Sequence, residues 1–492
     1  MAWILALDEG TTSARSALYD PEGKLVGMEA IPISSYYPRP GWVEQDSLEI
    51  FTAQLASARK LMGRTGVEAK GVVAAGITNQ RETTVVWERS SGQPVAPAIV
   101  WQCRRTADDC ARLAQSGWAE KIADRTGLVL DAYFSASKIQ WILDHVPDAR
   151  RRACDGELLF GTVDTWLVWK LTKGRVHVTD PTNASRTMLM DLVLGTWDDE
   201  LLRLFDIPRA MLPAIVPSSG VAGAIDAEFL GAEIPIGGIV GDQQAALAGQ
   251  AGFRSGLSKN TYGTGCFALM HTGRSAPCSR HRLLATRAAS TDGDGEFALE
   301  GSVFIAGAAI QWLRDQMGLI ASASESEAVA DSVEGNAGVY FVPAFVGLGA
   351  PYWDSAARGT ISGITAATTR AHLVRAALES IAYQTRELVE AMEADSGQRI
   401  SELRADGGAA ANNFLMQFQA DILDVPIVRP ADAETTALGA AYLAGLAAGF
   451  WRSVEDVERF WRVERKFEPR MANSQREALW CAWKNAVARC RA

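Results

Sequence analysis

The stretch Asp8-Glu9-Gly10-Thr11-Thr12-Ser13-Ala14-Arg15 places acidic side chains, a glycine, three hydroxyls and a guanidinium directly after the apolar residues 4–7. That set suits a phosphate clamp. Gly10 lets the backbone turn tightly and approach an anion, while Thr11, Thr12 and Ser13 offer hydroxyl and amide donors. Arg15 adds charge, and Asp8 is placed to hold Mg²⁺ directly or through water. A hairpin turn that happens to be rich in Thr and Gly would carry the same residues. A second polar run, Thr78-Asn79-Gln80-Arg81-Glu82-Thr83-Thr84, returns to Val85-Val86-Trp87. Arg81 offers a planar fork of donors and Glu82 two acceptors, the combination a polyol requires because each hydroxyl both donates and accepts. A surface ion pair is the plain alternative. Trp101 and Tyr133 offer flat apolar faces, to a carbon chain or to the core. Asp242, in Gly241-Asp242-Gln243-Gln244, is either a carboxylate at the mouth of a cleft or an ordinary helix cap.

These residues depend on the elements that hold them. Residues 4–7, 14–19 and 25–31 read as three strands of an antiparallel meander, with Asp20-Pro21-Glu22-Gly23 as one turn. Residues 48–62 have helical spacing, 71–77 read as a buried strand, and 157–171 read as a further apolar strand running into Trp166 and Trp169. A second passage of the same kind begins near Gly256, where 259–262, 266–271 and 297–304 bracket Tyr262-Gly263-Thr264-Gly265. This internal echo predicts a duplicated architecture of two lobes around a cleft, 1–250 and 251–492. Residues 234–240 form a compact strand that ends at Asp242 and leads into an Ala-rich helix. Asp406-Gly407-Gly408-Ala409-Ala410-Ala411-Asn412-Asn413 leaves another strand and enters a helix from Phe414. Its glycines let a planar ring lie against the backbone, and Asn412 is placed to bond a base or sugar, although a Gly-rich helix start explains the pattern equally well. Gly307, Ile310 and Gln311 share a helix face by spacing, opening room for a ligand or packing in the core. The GxxxxGK[ST] loop of P-loop enzymes and the HRD and DFG motifs of protein kinases do not occur.

The 492 residues carry a net charge of −10. Length predicts two to four domains at about 150 residues each. The dispersed negative charge argues against nucleic acid or an acidic membrane as partner. Seven cysteines without CxxC or Cys/His zinc spacing fit reduced thiols in a cytoplasmic protein. The start of the chain lacks a basic leader, and the longest apolar run, 437–451, is too short to span a bilayer.

Taken together, the motifs resemble the FGGY carbohydrate kinases over essentially the whole chain, and among them those that act on glycerol. The carriers are Asp8-Glu9-Gly10-Thr11-Thr12-Ser13, Pro40-Gly41-Trp42-Val43-Glu44, Ile77-Thr78-Asn79-Gln80-Arg81-Glu82-Thr83-Thr84 and Val100-Trp101-Gln102-Cys103-Arg104-Arg105. Gly161-Thr162-Val163-Asp164-Thr165-Trp166, Gly241-Asp242-Gln243-Gln244, Tyr262-Gly263-Thr264-Gly265-Cys266, Gly347-Leu348-Gly349-Ala350-Pro351-Tyr352-Trp353 and Asp406-Gly407-Gly408 continue the series in order. The resemblance implies an α/β fold of two actin-like, ribonuclease H-like domains with a catalytic cleft between them. It implies that ATP and glycerol give sn-glycerol 3-phosphate and ADP in glycerol catabolism, and that the enzyme is a homodimer or homotetramer. Carried over by position, Arg81, Glu82, Tyr133, Asp242 and Gln243 bind the glycerol hydroxyls and Trp101 packs on its carbons. Thr11, Thr12, Ser13, Arg15, Thr264, Gly307, Gln311, Gly408 and Asn412 take ATP, and Asp242 is the general base of an in-line phosphoryl transfer.

Two departures stand out. Glu9 occupies a position where the glycerol-specific relatives commonly have Gln, which puts one more negative charge beside the phosphate turn and is expected to bear on Mg²⁺ or nucleotide affinity. Some bacterial relatives bind fructose 1,6-bisphosphate through a Gly/Arg loop, but here that region reads Glu228-Phe229-Leu230-Gly231-Ala232-Glu233. Such inhibition is therefore expected to be absent or weak, and the carboxyl-terminal helix 473–492 gives little support for a regulatory protein partner. A pentulose or other polyol kinase of the same family shares the ATP site and base; the Arg81, Glu82, Trp101 and Tyr133 set favours a small triol. A nucleotide-driven switch of the actin or Hsp70 type would need no site for hydroxyls.

Overall fold

The computed structural model describes residues 2–291, 295–354 and 356–491. Strands β1 (Trp3–Glu9), β2 (Ser13–Tyr19) and β3 (Leu25–Pro32) form the expected antiparallel meander. Both faces of β1 are covered: Leu5 and Leu7 join one apolar cluster, Ile4 and Ala6 another. Cover on both sides is why the strand reads as continuous apolar sequence rather than as alternation. Helix α1 (Ser47–Thr65) starts where the Asp46 carboxylate accepts from Leu48 N–H and stops at Gly66 in the left-handed conformation. Strand β4 (Val72–Asn79) then returns parallel to β1.

The apolar run expected as one strand over 157–171 divides. Leu158–Gly161 is a short strand, and Val163–Leu171 is helix α2, in which all residues but Lys170 are buried. A segment buried on every side shows neither helical nor strand periodicity, so the sequence pattern could not separate the two. Strands β5 (Ser219–Ile225) and β6 (Ile234–Gly241) complete a six-stranded sheet ordered β5-β6-β4-β1-β2-β3, with β6 parallel to β4. Helix α3 (Asp242–Gly249) follows immediately.

The second sheet repeats this plan. Strands β7 (Ser258–Tyr262), β8 (Cys266–Gly273), β9 (Leu284–Arg287) and β10 (Phe297–Val303) are joined antiparallel, and helices α4 (Gly307–Asp315) and α5 (Arg370–Ser396) come after them. Strand β11 (Leu403–Asp406) lies parallel to β7; helix α6 (Asn413–Leu423) leads to β12 (Ile427–Pro430), parallel to β11. Helix α7 (Thr435–Ala447), the antiparallel edge strand β13 (Val463–Phe467) and helix α8 (Asn473–Cys490) finish the chain. The order is β9-β10-β8-β7-β11-β12-β13. In both sheets a set of antiparallel strands, a simple meander only in the first, is extended by two parallel strands and closed by an antiparallel edge, which is the duplication the sequence echo implied. Residue 492, the last of the expected helix, lies outside the described residues.

Helix α7 packs on the first sheet rather than the second: Ala437, Leu438, Ala441, Tyr442 and Ala444 share a core cluster with Ile4, Ala6 and Ala74. It also crosses α3 at backbone contact. A Cβ at Gly439 would sit 1.9 Å from the Ala245 carbonyl oxygen, so no larger residue fits without separating the helices. Among the described residues no helix is long and apolar enough to cross a membrane.

Candidate functional site

Sheet register alone gathers the polar motifs. Glu9 pairs with Asn79 and Asn79 with Gly241, so the phosphate turn, the Arg81-Glu82 loop and Asp242 all leave the carboxyl ends of three adjacent parallel strands. In the second sheet Thr261 pairs with Asp406, which brings the Gly263-Thr264 turn and the Gly407-Gly408 turn together in the same way.

Arg81 and Glu82 are not a surface pair; their relative exposures are 3% and 1%. Glu82 adopts φ 61°, a conformation that costs about 1–3 kcal/mol for a non-glycine residue and concentrates at functional sites. Arg81 Nε lies 3.0 Å from Asp242 Oδ1, Nη1 donates to Gln244 Oε1 (3.2 Å) and Glu300 Oε2 (2.6 Å), and Nη2 donates to Glu300 Oε1 (3.0 Å). The second N–H of Nη2 has no acceptor among the described residues. Arg186 Nε donates to Glu82 Oε1 (2.7 Å) and Nη2 to Glu300 Oε1 (3.1 Å). Burial would raise the Glu300 carboxyl, yet Arg186 and Arg81 hold it down at about 2. Burial raises Glu82 despite the opposing pull of the same two arginines.

Asp242 is the first residue of α3, and Gly241 is the cap, so the cap explanation of Asp242 does not hold. Its side chain is 32% exposed beside the fully enclosed arginine cluster. Gln243 N–H donates to Asp242 Oδ1 (2.7 Å), Gln243 Nε2 to Oδ2 (3.3 Å), and Lys259 Nζ donates to Gln243 Oε1 (2.5 Å). Trp101 and Tyr133 meet edge to face with centroids 5.6 Å apart, and Trp101 Nε1 donates to Thr11 Oγ1 (2.9 Å). The aromatic pair therefore touches the phosphate turn. Burial raises the Tyr133 phenol, which stays protonated as a donor.

In the phosphate turn Gly10 N–H donates to Ser13 O (3.0 Å), Thr12 is exposed, and Thr11 and Ser13 are partly so. Arg15 lies between Asp8 (2.8 Å) and Glu434 (3.2 Å), tying the turn to the loop before α7. Burial raises Asp8 to about 6 against the pull of Arg15, with Asp242 adding to the rise. Among the described residues no group of three or more His, Cys, Asp or Glu side chains gathers to hold a metal ion. A single carboxylate beside a phosphate clamp fits Mg²⁺, which is commonly held by one or two carboxylates together with substrate phosphates.

Glu9 corrects its expectation. It is fully buried, on the sheet face shared with Leu5 and Leu7 and opposite to Asp8, and both carboxyl oxygens lack a hydrogen-bond partner among the described residues. Burial first, then the neighbouring Asp8, push its pKa well above the ordinary range. Burial thus disfavours its charged form, and the group lies on the sheet face away from Asp8.

On the second lobe Thr264, Gln311 and Gly408 are exposed and Gly307 is partly so. Gly307 has a reason beyond making room: its N–H donates to Gly263 O (3.0 Å), and a Cβ there would stand 2.6 Å from that oxygen. Ile310 turns into the core while Gln311 faces out, so the predicted common face divides. Asn412 caps α6, accepting from Leu415 N–H (2.9 Å), and its Nδ2 donates to Ser326 Oγ (3.2 Å), with the second N–H unengaged among the described residues. Asp406 Oδ2 accepts from Gln250 (2.7 Å) and Thr435 (2.9 Å), a structural tie.

Glu300, Arg186 and Lys259 escape a reading of the sequence. The available signal was a charged residue inside Phe297–Val303, every residue of which is buried.

Residues 3–249 match the family model described as "FGGY family of carbohydrate kinases, N-terminal domain", and residues 258–448 match the corresponding C-terminal domain. The chain is 57% identical to glycerol kinase 2 of Thermotoga maritima, with 99% of each chain covered. It is 58% identical to a glycerol kinase of Dechloromonas aromatica, over 99% of this chain and 97% of the relative. Among solved structures, Plasmodium falciparum glycerol kinase with ADP superimposes with a TM-score of 0.94 at 37% identity, covering 100% of this chain and 98% of the other.

Proposed function

The chain belongs to the FGGY family of carbohydrate kinases, and from that premise we propose that it transfers the γ-phosphoryl group of ATP to glycerol, giving sn-glycerol 3-phosphate and ADP in glycerol catabolism. The observation that carries the chemistry is Asp242, a partly exposed carboxylate oriented by Arg81 and Gln243, at the meeting point of the phosphate turn and the hydroxyl-binding loop. Asp242 takes the proton of the attacking hydroxyl as its oxygen closes on the γ-phosphorus in line. The free N–H of Arg81, Glu82, the Tyr133 phenol and Gln243 bind the hydroxyls, and Trp101 covers the carbons. Thr11, Thr12, Ser13 and Arg15 face the phosphates from the first lobe. Thr264, Gly307, Gln311, Gly408 and Asn412 receive the nucleotide on the second.

Asp8 would hold Mg²⁺, which when bound neutralises charge on the phosphate oxygens. Little covalent work falls to the protein; positioning and donors aimed at the transferring group supply the acceleration, and enclosure between the lobes keeps water from acting as acceptor. Division into a glycerol-binding domain, 1–250, and an ATP-binding domain, 251–492, is part of the same proposal, as is assembly into a homodimer or homotetramer. Seven unpaired cysteines support a cytoplasmic setting.

The test is ADP release from Mg-ATP in the presence of glycerol, xylulose, ribulose or no acceptor. Glycerol is expected to give the highest rate. A glycerol rate equal to the no-acceptor rate would sink the proposal, and a higher rate with a pentulose would transfer it to another substrate.

A further inference from the structure

Arg81 and Gln243, two first-lobe donors of the glycerol site, are each held by one side chain from the second sheet. Glu300 on β10 receives both terminal nitrogens of Arg81, at 2.6 and 3.0 Å, and Arg186 Nη2 at 3.1 Å. Lys259 on β7 donates to Gln243 Oε1 at 2.5 Å and to Thr261 Oγ1 at 2.8 Å. Both residues are fully buried, where a charge persists only with close partners.

The geometry constrains what the first lobe can present. A guanidinium gripped at both outer nitrogens is fixed in plane, which aims Nε at Asp242 and leaves the remaining N–H in one direction. An amide whose oxygen accepts from an ammonium must present its NH₂ on the other side, here to Asp242 Oδ2 at 3.3 Å. Arg81 and Arg186 face Glu82, Asp242 and Glu300, while Lys259 is held charged by Asp406 first and by Asp242 and Glu300 after it. Remove the second lobe and the two arginines keep only two acidic partners, while Gln243 is free to rotate.

Resting on the glycerol reading above, we propose that Glu300 and Lys259 are positioning residues that reach across from the second lobe to set the Arg81 fork and the Gln243 amide. The hydroxyl site is therefore complete only when the two lobes are together.

Calorimetric titration of the full chain with glycerol and, separately, with ADP tests this on wild type, Glu300→Gln and Lys259→Met. Each variant is expected to weaken glycerol by at least about tenfold, the loss of a charge-assisted contact. ADP affinity is expected to stay within about threefold, since neither residue touches the nucleotide turns. Glycerol affinity unchanged in both variants, or equal losses for glycerol and ADP, would overturn the inference. Glu300→Asp covers the case in which Glu300→Gln does not fold: weakened glycerol with unchanged ADP supports the role, and unchanged glycerol removes it. Wild-type protein that binds no glycerol would instead defeat the glycerol reading itself.

Discussion

At the scale of single residues, Asp242 and Glu9 show how position decides what a carboxyl group does. Asp242 keeps one side open and is oriented by neighbours that outlast its charge, since Gln243 N–H and Arg81 Nε remain in place when the carboxylate becomes an amide. Asp242→Asn should therefore retain glycerol binding while turnover falls by roughly two or more powers of ten, the loss expected for a general base. Turnover near wild type in a steady-state assay would take Asp242 out of that role. Glu9 is the opposite case, enclosed and in a setting that disfavours charge. Glu9→Gln keeps the shape of an enclosed side chain, so KM for ATP and kcat should both stay within about twofold of wild type, the small change expected of an isosteric core exchange; a larger change in KM for ATP would show that the carboxyl group matters. The polar motifs are legible in the sequence because their spacing is local: Gly10 to Arg15, Arg81 with Glu82, and Gly241 to Gln244 each sit within one turn. Asn412, expected at the nucleotide, has in the structure a competing task as helix cap.

Among the elements, helix α8 docks on α5 through a buried acid. Glu387 Oε1 accepts from Trp483 Nε1 (2.9 Å) and Tyr352 Oη (2.6 Å), while Tyr383 stacks on Trp483 with centroids 5.0 Å apart. Burial raises the Glu387 carboxyl to about 7, with the two hydrogen bonds pulling the other way. Because the folded state binds this proton more tightly than the unfolded chain, the contribution to stability is complete below the ordinary glutamate value of 4.5 and is lost as pH rises through about 7. Each tenfold change in proton affinity is worth about 1.4 kcal/mol, so the loss comes to about 3 kcal/mol. Glu387→Gln should flatten the fall in unfolding midpoint between these pH values, as followed by thermal denaturation across a pH series; an unchanged slope would assign the dependence elsewhere. Most strands and the main helices follow from apolar runs and their turn signals, whereas α2 does not, because Trp166 and its neighbours are enclosed on all sides and show no period.

Across the whole molecule, the least legible contacts join the lobes. Glu300 lies 219 residues from Arg81 and 114 from Arg186, and nothing local in β10 says which cations it meets. Duplication is visible in the sequence as two Gly/Thr turns inside hairpins; the way the copies interlock is not. Surface charge permits a further prediction. In the short helix and turn before β6, Glu228 and Glu233 are exposed, and Glu228 already pairs with Lys173 at 2.7 Å. An anionic loop repels a bisphosphate. Fructose 1,6-bisphosphate should therefore leave the initial rate unchanged, and clear micromolar inhibition of the purified enzyme would refute this. The placement of α7 bears on how the protein is made. Its apolar side covers Ile4, Ala6 and Ala74, residues that leave the ribosome hundreds of positions earlier. The nascent first sheet must wait with one greasy flank bare until residues 435–447 arrive, so synthesis from end to end, rather than lobe by lobe, is the natural unit of folding for this chain.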